Sequence, residues 1–581
     1  MIRTNTGIED RGVDIIVDTD VLVIGGGGAA CRAAIASHEA GARTTVVLKG
    51  KFGRSGATVA PGMGVAWQAA DACSSGEDSP EVHFANIIDA GLGMADPRLA
   101  RILAYEVLER MEELERWGLQ FVPDPQGINP HYTGYSCFGD QPRAHGILNS
   151  GHGHAGDIVV VLRRQMQARG ISVQEDIFVT DLVVEDGQCV GALALGPDGQ
   201  VVLYRAGAVV LAAGGARQVF PHEKERPLVD TTGDGYAMAL RAGAELTNME
   251  YTQFMLHAVP PFPVTVPGSH WALFPKLRNR YGEDALQPYL PAGLGVEEVL
   301  YERTLHYPFS SRDSSKWLDI AFAREISEGR GTDEGGLYVD FSAVDMGAFK
   351  PSRPQHLPSD PDVQVALPQC PVQVRPAAHA VNGGVRIDER AASTVPGLFA
   401  AGEVAAGPHG ADRLGGGMVT NCQVFGARAG RFAAEYALGS GRRSPSPDGL
   451  AFGLSRLGKY GGGQKETGDV LAALQEATAT KLMVLRSGKG LKTLVARIQE
   501  LTSDWLPAIA VHDVQALRRA IEVDNSLCTA ELMAHAALMR CESRGSHFRE
   551  DYPLLDDNNW RVNILLFQRD GRLNQITGTL G

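Results

Sequence analysis

The chain reads as an α/β protein organised around a Rossmann-type βαβ unit, which is interrupted by an inserted domain and followed by a helical one. Three observations predict this. The apolar run Asp20 to Ile24 passes straight into a glycine cluster and then a helical stretch. The same buried-strand character, again backed by a glycine-dense loop, returns at Gly397 to Glu403. Beyond Asp469 the apolar residues recur at helical spacing. At 581 residues the chain is too long for a single core, and three or four domain-sized units are expected.

Within the first unit, DVLVI (20–24) suits a strand buried on both faces of a parallel sheet. Ala29 to Ala40 is helical and Gly41 ends it, and Thr44 to Leu48 makes the next strand. Glu81 to Gly118 reads as two helices. Residues 177–212 alternate and turn at Asp186-Gly187 and Asp198-Gly199, which predicts an antiparallel ribbon ending in the buried strand Ala208 to Ala213. From Pro260 to Pro368 the chain is rich in Pro and aromatics and has no βαβ rhythm, so it reads as an insertion. Residues 439–448 read as a surface linker. Helices are expected at Val470 to Val484, Leu491 to Leu501 and Val514 to Met539. The division is thus 1–257, 258–370 (the insertion), 371–440 (the return of the first unit) and 441–581.

Bulk composition narrows the function. A hydrophobic content of 44% and a charged content of 21% describe an ordinary globular protein. The 69 glycines show no collagen-like period, so they belong in turns and ligand loops. A formal charge of −14 argues against a nucleic-acid-binding surface and suits a soluble cytoplasmic protein. The eight cysteines are scattered without a C-x-x-C pair, so no iron–sulfur or zinc ligand set can be drawn from their spacing, and no metal site is expected. Structural thiols in a reducing compartment are the reading that follows. The polar, acidic N-terminus has no secretory pattern, and no apolar stretch reaches the roughly 18 residues that a membrane span requires.

Gly25-Gly26-Gly27-Gly28-Ala29-Ala30 gives G-x-G-x-x-A between a strand and a helix, where a pyrophosphate can approach unpaired N–H groups. The acid that usually ends the second strand of a nicotinamide-binding unit is missing, since the chain reads Leu48-Lys49-Gly50 there. Thr232-Gly233-Asp234-Gly235 would be a turn if taken alone, but it follows the strand ending in Gly214-Gly215. Val395 to Met418, VPGLFAAGEVAAGPHGADRLGGGM, runs a strand into a glycine-dense loop that holds one His and one Arg. Backbone so poor in Cβ atoms can lie against a flat, phosphate-bearing ligand, and an Arg placed there is aimed at an anion.

These strings resemble the flavoprotein subunits of the succinate dehydrogenase/fumarate reductase family, which includes L-aspartate oxidase and adenylylsulfate reductase α-like members. The resemblance implies a split, Rossmann-type FAD-binding domain, an inserted capping domain and a C-terminal helical domain. The FAD contacts it implies are Gly25, Gly27, Gly28, Ala29, Ala30, Lys49, Arg54, Ser55, Gly62, Met63 and Gly64 in the first segments. Further along they are Val179, Ala213, Gly214, Asp234, Gly402, Glu403, Gly417, Met418 and Val419. Lys49 to Gly64 is similar to the family's Lys…Arg-Ser-His-Thr…Ala-x-Gly-Gly segment, with Gly56 in place of the histidine that carries covalent FAD in the respiratory enzymes. The FAD is therefore expected to be non-covalent.

Three positions resemble the family's catalytic site. Arg312 falls where the family has its proposed proton donor, and His379 where it has a carboxylate-binding His. Arg413 falls at the carboxylate Arg of HGANRLGG. An Arg acts as an acid only beside a relay that restores its proton. The departures matter as much. In the family's MEMWQFHPT string the substrate-binding His is replaced by Met255, followed by Leu256 and His257. The Thr-Glu pair that holds the second carboxylate falls near Pro267–Ser269 and is absent. Two Arg and one His, Arg312, Arg413 and His379, can hold one anionic group, and the substrate contacts that the resemblance implies are Met255, His257, His379 and Arg413. The far end of the pocket is expected to be apolar, built from Met255, Trp271 and Phe274. Arg540 to Pro553, RCESRGSHFREDYP, resembles the family's ESRGAHxREDxP segment, whose charges form an inter-domain network.

The expectation is an FAD-dependent oxidoreductase that transfers a hydride between flavin and a small anionic organic substrate other than succinate or fumarate. The electron partner would be an iron–sulfur (ferredoxin-like) protein, a quinone-linked one or oxygen. Two alternatives stay open: an adenylylsulfate-reductase-like flavoprotein that acts on a sulfur compound, and an electron-relay flavoprotein without its own substrate.

Overall fold

The structure, a computed structural model, describes residues 12–59, 66–124, 129–148, 154–221, 230–259, 268–342, 371–569 and 571–580. Gly62, Met63, Gly64 and Pro267 lie outside the described residues. The central sheet runs β6 (Ser172–Gln174), β2 (Thr44–Val47), β1 (Ile15–Ile24), β9 (Val201–Leu211), β8 (Gln188–Leu195), β7 (Phe178–Glu185), and β16 (Leu398–Ala400) also pairs with β9. Strands β1, β2, β6, β9 and β16 are parallel, which is why Val21, Leu22 and Val23 are apolar without alternation and fully buried. The expected ribbon is β7–β8–β9, and its last strand is a central member of the parallel sheet.

Helix α1 (Gly28–Glu39) follows β1, and α9 (Gly417–Ser440) packs along it. The approach is close because the contact residues lack side chains. A Cβ at Gly430 would lie 2.0 Å from the Ala33 carbonyl oxygen, and one at Gly426 would lie 2.8 Å from that of Ala29. Helices α2 (Pro80–Ala90) and α3 (Pro97–Arg116) start on side-chain caps from Ser79 and Asp96 with Pro in the first turn. Helix α4 (His154–Ala168) and a small sheet, β3 (Ala66–Gln68), β5 (Ala144–Gly146), β4 (Thr133–Gly134), complete this side, and α5 (Asp234–Arg241) leaves the Thr232–Gly235 loop.

The inserted region has its own core around Trp271, Leu277, Leu318, Phe322 and Val374. Its sheet is β11 (Thr252–Ala258), β14 (Val372–Val381), β13 (Leu337–Asp340), β12 (Lys276–Arg278), with α6 (Gly268–Trp271), α7 (Val296–Arg303) and α8 (Lys316–Ser327). Strands β11 and β14 are the two crossings between the units, and the catalytic candidate His379 and the substrate-contact candidate Met255 ride on them.

The C-terminal unit carries α10 (Pro447–Leu457), α11 (Thr467–Lys481), α12 (Gly488–Glu500), α13 (Val514–Met539) and the short α14 (Asp557–Trp560). The linker shortens to residues 441–446 because α9 runs on to Ser440. The unit is not helical to its end. Residues 563–578 form the hairpin β18 (Asn563–Arg569), β19 (Arg572–Gly578), joined in one sheet to β10 (Leu246–Thr247), β15 (Gly384–Arg386) and β17 (Ala405–Ala406). The alternation of NILLFQR and the Asp-Gly pair at 570–571 are hairpin signals that the helical reading passes over.

Candidate active site

Three helices that follow glycine loops begin without a side-chain cap: α1 at Gly27, α5 at Gly233 (φ +85°) and α9 at Gly416 (φ +79°). No N-cap side chain covers these three starts, and an uncapped helix start beside glycine-rich backbone suits an anionic pyrophosphate. The loops that carry them are pressed together. A Cβ at Gly25 would lie 2.2 Å from the Ala212 carbonyl oxygen, so only glycine lets the end of β1 pass beside the Ala213-Gly214 turn. A Cβ at Gly215 would meet Glu403 Oε1 at 2.2 Å. Glu403 accepts the Val381 N–H at 3.0 Å, and burial raises its carboxyl pKa. The first turn of α9 is Gly417, Met418 and Val419, in line with the loop that holds Arg413. Thr58 Oγ1 receives the Gly28 N–H at 3.2 Å, so the segment containing Ser55 folds over the start of α1, while Arg54 is exposed. Val179 is buried at the start of β7. These features fit FAD: a phosphate-binding loop, uncapped helix starts, and a buried acid beside the glycine turns.

Lys49 is placed inside a charge cluster. Its ammonium donates to Thr232 Oγ1 at 2.7 Å, Asp234 Oδ2 at 2.9 Å and Glu522 Oε1 at 2.7 Å, and it pairs with Asp230 at 3.2 Å. Burial works against its charge, but Asp234, Glu522 and Asp230 outweigh it and hold its pKa well above the ordinary lysine value. Asn525 Nδ2 donates to Asp234 Oδ1 at 2.7 Å, and Ser526 and Thr529 donate to the Thr232 and Gly233 carbonyls. Helix α13 therefore fixes the Thr232–Gly235 loop from the C-terminal side.

Arg413 is 5% exposed. One terminal nitrogen, Nη2, donates to Gln253 Oε1 at 2.7 Å, and Nη1 donates to the Leu414 carbonyl at 3.3 Å. Burial lowers its pKa, with Glu403 acting in the other direction. Three buried atoms here have no hydrogen-bond partner among the described residues: Arg413 Nε, Gln253 Nε2 and His409 Nε2. Unpaired polar groups at this depth cost on the order of 1–3 kcal/mol each, so the cluster is built to receive a polar ligand. Burial and the neighbouring Arg413 hold His409 well below the usual histidine range, which keeps it neutral.

Gln253, Met255 and His257 share one face of β11 by strand alternation. Opposite, the pairing jumps from Gln253↔Ala380 to Phe254↔Ala378, so His379 is the extra residue of a β-bulge in β14. A bulge re-aims one side chain, and here it is the predicted carboxylate-binding His. The expected apolar wall needs correction. Trp271 is fully buried in the core of the inserted region, on the Leu256 side of β11, and Phe274 is 44% exposed. Strand alternation puts Leu256 and Met255 on opposite faces, so of the three residues Met255 alone shares the Gln253 face.

Arg312 reaches the same loop from the insertion. Its Nε donates to Asp412 Oδ2 at 3.2 Å, and Nη2 donates to the Ala90 carbonyl at 2.9 Å. Its guanidinium lies 4.8 Å from the centre of the Phe138 ring, which stacks on His306 at 4.6 Å. Asp412 is buried, accepts Ser310 Oγ at 2.6 Å and leaves Oδ1 without a partner among the described residues, and burial raises its pKa. Nη1 of Arg312 lies 3.6 Å from the exposed carboxylate of Asp89. Sequence reasoning misses Asp412, Gln253 and Phe138. The first two are within its reach, since one precedes Arg413 and the other sits in the string that holds Met255. No sequence signal points to Phe138.

The RCESRGSHFREDYP segment is an ion-pair network. Arg540 bonds Glu250 Oε1 at 2.8 Å and Glu542 Oε1 at 2.9 Å, Arg544 bonds Glu542 Oε1 at 2.7 Å, and all four are buried. Gly545 contributes its carbonyl to the Ser311 N–H at 2.7 Å, next to Arg312. The network is structural support for the two strings that carry the site.

Residues 20–419 match the FAD binding domain family, and residues 471–577 match the fumarate reductase flavoprotein C-terminal family. The chain is 34% identical to one component of the fumarate reductase (CoM/CoB) of Methanothermobacter marburgensis, over 95% of this chain and 97% of that one. It is 31% identical to L-aspartate oxidase of Streptomyces coelicolor, over 95% and 91%. Among solved structures, Sdh1 of Mycobacterium smegmatis in complex with UQ1 superposes with a TM-score of 0.80 at 28% identity, covering 98% of this chain and 95% of that one. Adenylylsulfate reductase of Archaeoglobus fulgidus shares the fold, with a TM-score of 0.75 at 20% identity over 99% and 97%. No helix of the described residues is long and apolar enough to cross a membrane. The chain is an FAD-dependent oxidoreductase and belongs to the succinate dehydrogenase/fumarate reductase flavoprotein family.

Proposed function

We propose that the chain moves a hydride between non-covalently held FAD and a small anionic organic substrate other than succinate or fumarate. The observation that carries this is the buried Arg413–Gln253 pair, with an unpaired N–H on each side chain, beside a strand face that continues with Met255 in place of a second anion-binding group. FAD, when bound, supplies the hydride acceptor or donor. Arg413 and the bulge residue His379 hold the substrate's anionic group, with His257 further along the same face of β11. Arg312 is anchored to move a proton or to add a second clamp. Buried Asp412 lies on one side of it, and exposed Asp89 gives a path to water on the other. Both groups are protein-held, so the insertion must stay closed on the flavin unit for the site to be complete.

The electron partner in this reading is an iron–sulfur protein. The reading rests on the cysteines of the sequence, which are scattered without a C-x-x-C pair and so offer no iron–sulfur ligand spacing. The reading is tested by mixing the anaerobic, oxidised or dithionite-reduced protein with a panel of small carboxylates and following the flavin absorbance. Stoichiometric bleaching or recovery with a monoanion supports it. Bleaching by sulfite with adenosine monophosphate instead would favour a sulfur substrate, and no response to any compound would favour an electron-relay role.

A further inference from the structure

A second side-chain cluster lies away from the flavin loops, where the small sheet β3–β5–β4 meets the end of α3. Asp71 follows β3, His131 precedes β4, His145 is on β5 and Glu115 is in the last turn of α3. His131 Nδ1 is 2.8 Å from Asp71 Oδ2, and its Nε2 is 2.7 Å from Glu115 Oε1. His145 Nε2 is 3.8 Å from Asp71 Oδ1 and 2.9 Å from the Ala69 carbonyl oxygen. One potential donor atom from each of Asp71, His131 and His145 lies within 4.8 Å of the others. His145 is fully buried, His131 is 11% exposed at its side chain, and the Phe121 ring lies 5.3 Å from His131 and 6.1 Å from His145.

The arrangement poses a problem of charge. A neutral imidazole has one N–H, yet His131 faces a carboxylate oxygen at each nitrogen. If Nε2 carries the proton to Glu115, the Nδ1 lone pair points at Asp71, and either a second ring proton or a metal ion held by both must reconcile the two. The same carboxylate also faces His145 Nε2, which lies beside a carbonyl oxygen. Two imidazoles, a carboxylate and a backbone carbonyl are a donor set for a borderline divalent ion, zinc above all. Glu115 then has the role of an outer carboxylate that fixes the tautomer and turns Nδ1 to the metal. We propose that Asp71, His131 and His145 form a binding site for a divalent transition-metal ion, with the Ala69 carbonyl as a fourth donor and Glu115 orienting His131. The ion ties the end of α3 to the small sheet and plays a structural part. Cysteine spacing gives no hint of it, because the site uses one Asp and two His, with Asp71 and His131 sixty positions apart.

The test uses the full-length holoprotein. It is stripped with chelator, then titrated with Zn2+ or Co2+, and read by metal content, the visible bands of Co2+ and the thermal midpoint. The wild-type chain should take up one ion, show the bands of nitrogen- and oxygen-bound Co2+, and melt at a higher temperature with metal. His131→Gln should lose all three responses, while Glu115→Gln should keep the stoichiometry and weaken affinity by roughly 10–100-fold. Should His131→Gln misfold, Asp71→Asn and the wild-type titration decide. Absence of uptake and of any metal-dependent shift in the wild type overturns the site, and His131 is then a doubly protonated clasp between Asp71 and Glu115. Uptake that survives both His131→Gln and Asp71→Asn overturns it equally.

Discussion

Arg413 and Gln253 meet at 2.7 Å, and the contact joins the glycine loop of the flavin unit to the strand that leads into the insertion. The guanidinium is thereby turned so that its Nε has no protein partner among the described residues. Substituting Arg413→Lys should lower kcat/KM by about a hundredfold or more, the loss expected for a charge-assisted contact worth roughly 3 kcal/mol. Flavin content should stay near the wild-type value. Activity comes from the substrate panel, and flavin from the absorbance ratio. A variant that loses its flavin or folds poorly would show Arg413 to be structural.

FAD should leave the protein completely on denaturation. Gly56 stands where the respiratory enzymes have their attachment histidine, and its backbone is in the left-handed region at φ +92°. Acid precipitation should put all yellow colour in the supernatant, and the denatured band on a gel should carry no flavin fluorescence.

Fumarate reduction and succinate oxidation with artificial dyes should be far below about one turnover per second, the low end of ordinary enzyme rates. A second carboxylate on the Gln253 face would lie near Met255, where an unpaired ion costs several kcal/mol. Turnover at enzymatic rates would mean that other groups, outside the described residues included, supply the second anion site.

Acid should weaken the fold partly through Asp313. Burial by itself would raise this carboxyl, but His306 at 2.9 Å and the Ser315 N–H at 3.0 Å outweigh it and bring its pKa down to about 2. A depressed carboxyl stabilises the fold above its unfolded pKa of 3.8, and the contribution is lost as pH falls from there through about 2. The difference between 3.8 and about 2 corresponds to about 2.5 kcal/mol. Asp313→Asn should cost about that much at neutral pH and should flatten the fall of the thermal midpoint between about pH 4 and about pH 2. Parallel curves for the two proteins would show that Asp313 is not a source of the acid sensitivity.

The parts of the molecule legible from sequence are those whose physics is local. Strands such as Val21 to Ile24 announce themselves because both faces are buried, and the loops at Gly25 and Gly416 because the backbone there tolerates no side chain. Arg312, His379 and Arg413 are legible as residues, but their settings are not. The bulge that re-aims His379 depends on pairing with a strand more than a hundred residues away, and Asp412's hold on Arg312 depends on the docking of the insertion. Trp271 misleads for the same reason, since its side of β11 follows from alternation across the pair and not from composition. The terminal hairpin is hidden by the long helices before it, although its own alternation is plain.

That hairpin has a consequence for how the chain is made. Strand β18 pairs with Leu246-Thr247, and Arg540 reaches back over 290 positions to Glu250, so two ties on the stretch that precedes β11 come from far downstream in the sequence. On the ribosome, where synthesis proceeds from the N-terminus, the site strand must wait for partners not yet translated. Until they arrive, Glu250 lacks the buried Arg540 and Leu246 has a strand partner on the β15 side alone. A nascent chain thus lacks both ties on the approach to the site strand until residues 540–569 have been made and docked.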